Sequence, residues 1–311
     1  MLTLNAEAIR SLAPMPAVIN CLEEAFRKDW VVPPRQVVEL PGGSDQHLFL
    51  SMPAFDLRGG GAVKLATLLP DNRAKGLPVI QAAIVVFSEA GTPIALLDGT
   101  VLTRLRTGAA SALASKYLSR ADSARLVVIG TGALAPYMAV AHCTARRIDQ
   151  ISVWGRRTAH AASTVESIRA LIPEIAVEVT ESLEKAVATA DIVCCATRSS
   201  TPILKGQWLR RGTFVDLVGS FSPTCRESDD DVVLRSRIFV DTYEGAFAEA
   251  GDVLDPLARG VITKDTIEGD LFDLVRGRIK GRDLDEEIIV FKSVGTAIED
   301  LAVARMVVAA A

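Results

Sequence analysis

Val127-Val128-Ile129-Gly130-Thr131-Gly132-Ala133-Leu134-Ala135 is the stretch on which the fold turns. A β-branched apolar run ends in G-x-G-x-x-A, and an Ala-rich segment follows, so the stretch reads as strand, tight turn and helix start. Gly130 permits the turn, Gly132 lets the backbone approach a pyrophosphate, and Ala135 allows close helix–strand packing. The opening helix turn offers amide donors and the positive end of its dipole to an anion. A ligand-free glycine turn is the plainer alternative, but a second strand, Gln150–Trp154, follows about 20 residues on, as dinucleotide folds require.

Working outward, strand and helix patterns alternate. Strand 125–129 leads to helix 133–145, strand 150–154 to helix 159–171, and strand 176–179 to helix 183–188; strands 192–196 and 213–218 follow. Such alternation predicts a doubly wound parallel α/β sheet with helices on both faces. Further on we expect a strand at 238–241, helices near 245–250 and 266–276, a strand at 288–292 and a helix at 297–310. That last helix is apolar nearly all round, which predicts burial in a domain or an interface.

The first third differs. Pro14 and Pro16 precede a helix with an apolar stripe of Val18, Leu22, Ala25 and Phe26, and Pro33-Pro34 end it. Strand-like runs at 36–40, 47–52, 62–67, 81–87 and 94–97 are separated by turn signals such as PGGSDQ and SEAGTP. Adjacent strands without helices between them imply an antiparallel or mixed sheet. Residues 102–118 read as a long helix. We therefore expect an α+β domain (1–115 with 291–311) around a Rossmann nucleotide-binding domain (116–290).

The chain has 311 residues, 49% hydrophobic and 23% charged, with net charge −4. This is the composition of a packed globular protein and offers no general basic surface for nucleic acid. Mean hydropathy is +0.28, and 126–145 is long and uncharged, but its glycines, proline and β-branched start argue against a membrane span. No basic head precedes an apolar run at the N-terminus, and five cysteines lack metal spacing, so we expect reduced thiols in a cytoplasmic protein without metal. His47, His142 and His160 share no spacing. Cys194-Cys195 reads as strand core, and the acidic run 227–231 as a helix start rather than a metal site.

The end of the second strand reads Trp154-Gly155-Arg156-Arg157. NAD enzymes usually place a carboxylate here for the ribose 2′-hydroxyl. Glycine followed by two arginines instead suits a 2′-phosphate, which predicts NADP(H) over NAD(H). The alternative is that Arg156 and Arg157 are a solvated helix start. Three cations lie in apolar or rigid surroundings: Arg35 after Pro33-Pro34, Lys64 within a buried-strand pattern, and Arg106 in an apolar helix opening. A buried lysine needs an anion. Together the three suit a small carboxylate; singly, each is better read as an internal salt bridge or a snorkelling side chain.

Pro34-Arg35, Gly61-Ala62-Val63-Lys64, Leu102-Thr103-Arg104-Leu105-Arg106-Thr107-Gly108-Ala109-Ala110, the glycine fingerprint, Val218-Gly219-Ser220-Phe221 and 291–300 (FKSVGTAIED) together resemble the ornithine cyclodeaminase/μ-crystallin family along the whole chain. The resemblance implies a homodimer with its catalytic cleft between the two domains, acting on a small amino or imino acid. It implies that Arg35, Lys64 and Arg106 bind the substrate carboxylate, with Lys64 also near the reacting nitrogen. Arg106 and Thr107 would border the cofactor phosphates, Ala133 and Leu134 would form the pyrophosphate loop, and Thr197 would touch the cofactor. Ser293 and Val294 would close over nicotinamide and substrate.

The chain departs from the family's name-giving enzyme at two points. Phe221 stands where the cyclodeaminase carries an Asp that holds the distal amine and moves a proton, and a phenyl ring does neither. Gly155 replaces the NAD-type carboxylate. Both departures resemble members that reduce Δ1-pyrroline-2-carboxylate or Δ1-piperideine-2-carboxylate with NADPH, with Lys64 or an ordered water protonating the ring nitrogen and Phe221 against the apolar ring. The other readings are an ornithine cyclodeaminase using Glu227 or Asp229, an alanine-type dehydrogenase, and a crystallin-like NADPH-binding protein without turnover.

Overall fold

The computed structural model describes residues 1–42 and 47–311. Part of the expected turn PGGSDQ falls at 43–46, outside the described residues. The chain groups into two units, Met1–Thr107 with Thr296–Ala311, and Gly108–Gly295. The sequence reading set the joins at 115/116 and 290/291. Both 107/108 and 115/116 lie inside one unbroken helix, so no turn signal marks either.

The first unit runs β1 (Leu2–Leu4), α1 (Ala6–Leu12), α2 (Met15–Phe26), β2 (Trp30–Val31), β3 (Gln36–Leu40), β4 (His47–Asp56), β5 (Gly61–Leu68), β6 (Ile80–Phe87), β7 (Pro93–Asp98) and the start of α3 (Gly99–Leu118). Its sheet is mixed, in the order β1-β7-β6-β5-β4-β2, with β3 also on β4. β1 lies parallel to β7 and the rest are antiparallel. Asn5 caps α1 by accepting from the Ala8 amide, and Pro16 sits in the first turn of α2, where a missing N–H costs nothing. The final helix, labelled α11 below (Ala297–Ala310), packs on α2 and across β4, β5 and β6. Burying side chains such as Ile298, Leu301 and Val303 there contributes about 1.5–3 kcal/mol each. Because side chains alternate along β5, Ala62, Lys64, Ala66 and Leu68 are buried while Leu65 is exposed.

The second unit continues with β8 (Arg125–Ile129), α4 (Ala135–Ala145), β9 (Gln150–Trp154), α5 (Thr158–Leu171), β10 (Ala176–Val179), α6 (Leu183–Thr189), β11 (Ile192–Cys195), β12 (Phe214–Leu217), α7 (Asp230–Leu234), β13 (Arg237–Val240), α8 (Tyr243–Glu249), α9 (Gly251–Ala258), β14 (Ile267–Asp270), α10 (Leu271–Val275) and β15 (Ile289–Lys292). Its eight strands are all parallel, in the order β10-β9-β8-β11-β12-β15-β13-β14. The winding reverses between β8 and β11, and ligands of such sheets bind at the carboxyl edge beside that reversal. Cys194 and Cys195 are buried in β11, and all five cysteines are free. Among the described residues no helix is long and apolar enough to cross a membrane.

Two expectations need correction. The segment 266–276 is not one helix: a 3₁₀ turn (Lys264–Thr266) leads into β14, and the helix begins only at Leu271, capped by the Asp270 carboxylate. There tertiary pairing with β13 overrides local pattern. The helix after the fingerprint starts at Ala135 rather than 133, with Leu134 in the capping position.

Candidate functional site

In the first unit, β5, α3 and α11 bring together side chains far apart in sequence. The Lys64 ammonium donates to Asp300 Oδ2 at 2.6 Å. Arg106 donates through Nε to Asp300 Oδ1 at 3.1 Å and through Nη1 to Glu299 Oε2 at 2.7 Å. Lys64, Arg106, Glu299 and Asp300 are all nearly sealed from solvent. Arg35, half-buried ahead of β3, is close enough for its charge to act on Lys64. Lys64 and Arg106 therefore meet at one carboxylate and hold internal salt bridges, and Arg35 lies within electrostatic reach of Lys64.

The electrostatics follow from burial and charge. Burial pushes the Lys64 pKa down from 10.5, Asp300 pulls it back up, Arg106 and Arg35 push it down again, and it comes to rest at about 8. For Asp300, burial works upward, but Arg106 and Lys64 outweigh it and hold the carboxyl below its usual value. Burial opposes the Arg106 charge as well, and the two carboxylates overcome it. A buried ammonium with a pKa near neutrality is the form a proton donor takes. Sequence reasoning assigned Glu299 and Asp300 no role. Their signal was two adjacent carboxylates in the first turn of a mostly apolar helix.

In the second unit the fingerprint forms the turn between β8 and α4. Gly130 has φ 128°, and a Cβ there would lie 2.5 Å from the Ala196 carbonyl oxygen, so only glycine fits. A Cβ on Gly132 would meet nothing within 4 Å. Gly132 and Ala133 are exposed, and no side chain caps α4 at Leu134. Amides that open into free space at a helix start suit a pyrophosphate, so these residues fit a dinucleotide. Gly155 has a reason that the sequence did not show: a Cβ there would lie 2.4 Å from Thr131 Cγ2. Arg156 and Arg157 follow it, both exposed.

The other sequence-named residues are placed as follows. The Thr107 hydroxyl donates to the Thr103 carbonyl at 2.7 Å. The Thr197 amide and hydroxyl both donate to Glu227 Oε1, at 2.6 and 2.8 Å. Phe221 packs against the core of the second unit, with the Arg198 guanidinium 5.9 Å from its ring centroid. Ser293 and Val294 are buried after β15, and the Val294 and Gly295 amides donate to Asp241 Oδ2. The acidic run proves structural: Asp229 caps α7 by accepting from the Val232 amide. His142 is wholly buried, 3.1 Å from Asp216, which also accepts from Ser111, with Cys194 alongside.

Comparison with known proteins agrees with this geometry. A model described as the ornithine cyclodeaminase/mu-crystallin family matches residues 1–311. A Delta(1)-pyrroline-2-carboxylate reductase of Colwellia psychrerythraea is 38% identical over 312 residues, covering 99% of this chain and 98% of the relative. A structure of the Thermococcus litoralis Delta(1)-pyrroline-2-carboxylate reductase in complex with NADH and L-proline superposes with a TM-score of 0.96 at 35% identity, covering 100% of this chain and 97% of that one. An archaeal alanine dehydrogenase dimer with bound NAD gives a TM-score of 0.92 at 31% identity, covering 100% and 95%.

Proposed function

The chain belongs to the ornithine cyclodeaminase/mu-crystallin family, and from that premise we propose that it is an NAD(P)H-dependent reductase of a cyclic ketimine carboxylate. The substrate is Δ1-pyrroline-2-carboxylate or its six-membered analogue, and the product the L-configured cyclic amino acid. The relatives' names support the five-membered substrate and its product, L-proline. The observation that carries the reading is the buried Lys64 ammonium, held by Asp300 and flanked by Arg106 and Arg35.

The residues divide the work. Arg35, Lys64 and Arg106 take the substrate carboxylate, and the rigid Asp300–Arg106–Glu299 bridge keeps the guanidinium fork in one orientation. A bound nicotinamide supplies hydride to C2 of the C=N bond. Lys64 gives its proton to the ring nitrogen and regains one through Asp300 or water, so the sum is one hydride and one proton per imine reduced. Gly130, Gly132, Ala133 and Leu134 hold the pyrophosphate, and Thr197 and Ser293 complete the cofactor site. Glu227 and Asp229, the carboxylates that a cyclodeaminase would need, are both engaged by backbone amides, which favours the reductase.

The cofactor is NADPH in preference to NADH. The crowding at Gly155 supports this, since a carboxylate for a ribose 2′-hydroxyl cannot be mounted there while Thr131 keeps its place. The chain acts as a homodimer. By register, Phe55 and Leu65 share the sheet face opposite Lys64, and both are exposed. The testing experiment follows nicotinamide absorbance with purified protein, pyrroline-2-carboxylate and each cofactor in turn. Turnover, with the lower KM for NADPH, is expected. No oxidation of either cofactor rules the reaction out, and a lower KM for NADH rules out the preference.

A further inference from the structure

Gly130 follows β8, Thr197 follows β11, and Gly219-Ser220 follow β12, so these three turns stand side by side at the carboxyl edge where the winding reverses. The turns are in close backbone contact. A Cβ on Gly130 would strike the Ala196 carbonyl, and one on Gly219 would lie 2.1 Å or less from the Thr197 backbone. One carboxylate joins two of them from behind. Glu227 Oε1 accepts the Thr197 amide and hydroxyl, and Oε2 accepts the Gly219 and Ser220 amides at 2.8 and 3.2 Å. Glu227 is itself pinned, its amide donating to Asp252 Oδ1 at 2.9 Å and its carbonyl accepting from Ile203 and Leu204. It is 1% exposed and reaches no solvent.

We infer that Glu227 is a positioning residue for the nicotinamide side of the dinucleotide cradle, locking the turns after β11 and β12 to each other. The inference rests on the dinucleotide reading above. Both oxygens face N–H or O–H donors, so only a carboxylate satisfies all four. Burial and Asp252 push the Glu227 pKa up, while Lys292 and the Thr197 amide and hydroxyl act to keep the carboxylate ionised. A glutamine of the same shape must turn its NH₂ toward one pair of donors, leaving a backbone amide without an acceptor. Phe221 directly follows the moored turn, so the same lock sets where its ring stands.

The test uses Glu227→Gln in the full chain. NADPH affinity is read from bound-cofactor fluorescence, and amide exchange from cofactor-free protein. A rise in the NADPH Kd of about tenfold or more, with faster exchange confined to 197–199 and 219–221 and an unchanged exchange pattern along β8 and α4, is expected. If the Kd stays within about twofold and exchange at those amides does not change, the inference is wrong. It is equally wrong if exchange rises throughout the second unit while folded protein keeps its Kd, because that is a general stability role. Wild-type protein that binds NADPH but leaves ketimines untouched overturns the proposed reaction and not this inference. Wild-type protein that binds neither cofactor overturns both.

Discussion

Replacing Asp300 by Asn tests the core of the mechanism, because it removes one charge without changing shape. The Lys64 ammonium loses the carboxylate 2.6 Å away, the group that raises its pKa against burial. Arg106 and Arg35, which lower it, remain. An adjacent opposite charge shifts a pKa by about 1–3 units, at roughly 1.4 kcal/mol per unit. If protonated Lys64 is the acid, wild-type kcat/KM declines as pH rises through about 8. In the variant that decline begins roughly 1–3 units lower. The assay is kcat/KM for pyrroline-2-carboxylate against pH at saturating NADPH, with a melting curve at each pH so that only folded enzyme counts. A basic limb that stays where it was in the Asn variant refutes the coupling. A wild-type profile flat well above pH 8 refutes Lys64 as the proton source.

Three further outcomes are expected. Arg106→Lys keeps the charge but loses the fork that bridges Asp300 and Glu299, so kcat/KM falls by about a hundredfold or more and stability by roughly 3 kcal/mol; steady-state kinetics and denaturant melts measure the two. Gly155→Asp raises the KM for NADPH and lowers Tm, because its Cβ meets Thr131 Cγ2; adding Thr131→Gly recovers Tm but not the NADPH KM, and unimpaired NADPH use by the single variant contradicts the reading. Leu65→Asp, on the exposed sheet face, shifts the chain from dimer to monomer in sedimentation velocity, and an unchanged profile there would place the contact elsewhere.

Much of the second unit is legible from residues alone, because each piece is local. A β-branched run, a glycine pair and an amphipathic or Ala-rich helix carry their own periods, so β8, β9 and β10 fall where the pattern places them. The N-terminus is the contrast. β1 has three residues, too few to show a period, and exists because it pairs parallel with β7 some ninety positions later. Likewise 267–270 is a strand only because β13 lies beside it.

The site divides in the same way. Composition and local context marked Arg35, Lys64 and Arg106 as cations in unusual places, and marked Gly130 and Gly132 as a turn built for close approach. What neutralises the buried cations lies 236 and 194 positions further along the chain. Packing of α11 across β5 selects those partners, and no local pattern reports it. Glu227 read as part of an acidic run, and only the meeting of two strand ends makes its carboxylate a fourfold acceptor. Residue types thus determined which chemistry the chain carries. The tertiary structure decided which charges pair and which amides share an oxygen, because such pairings depend on distances that folding alone creates.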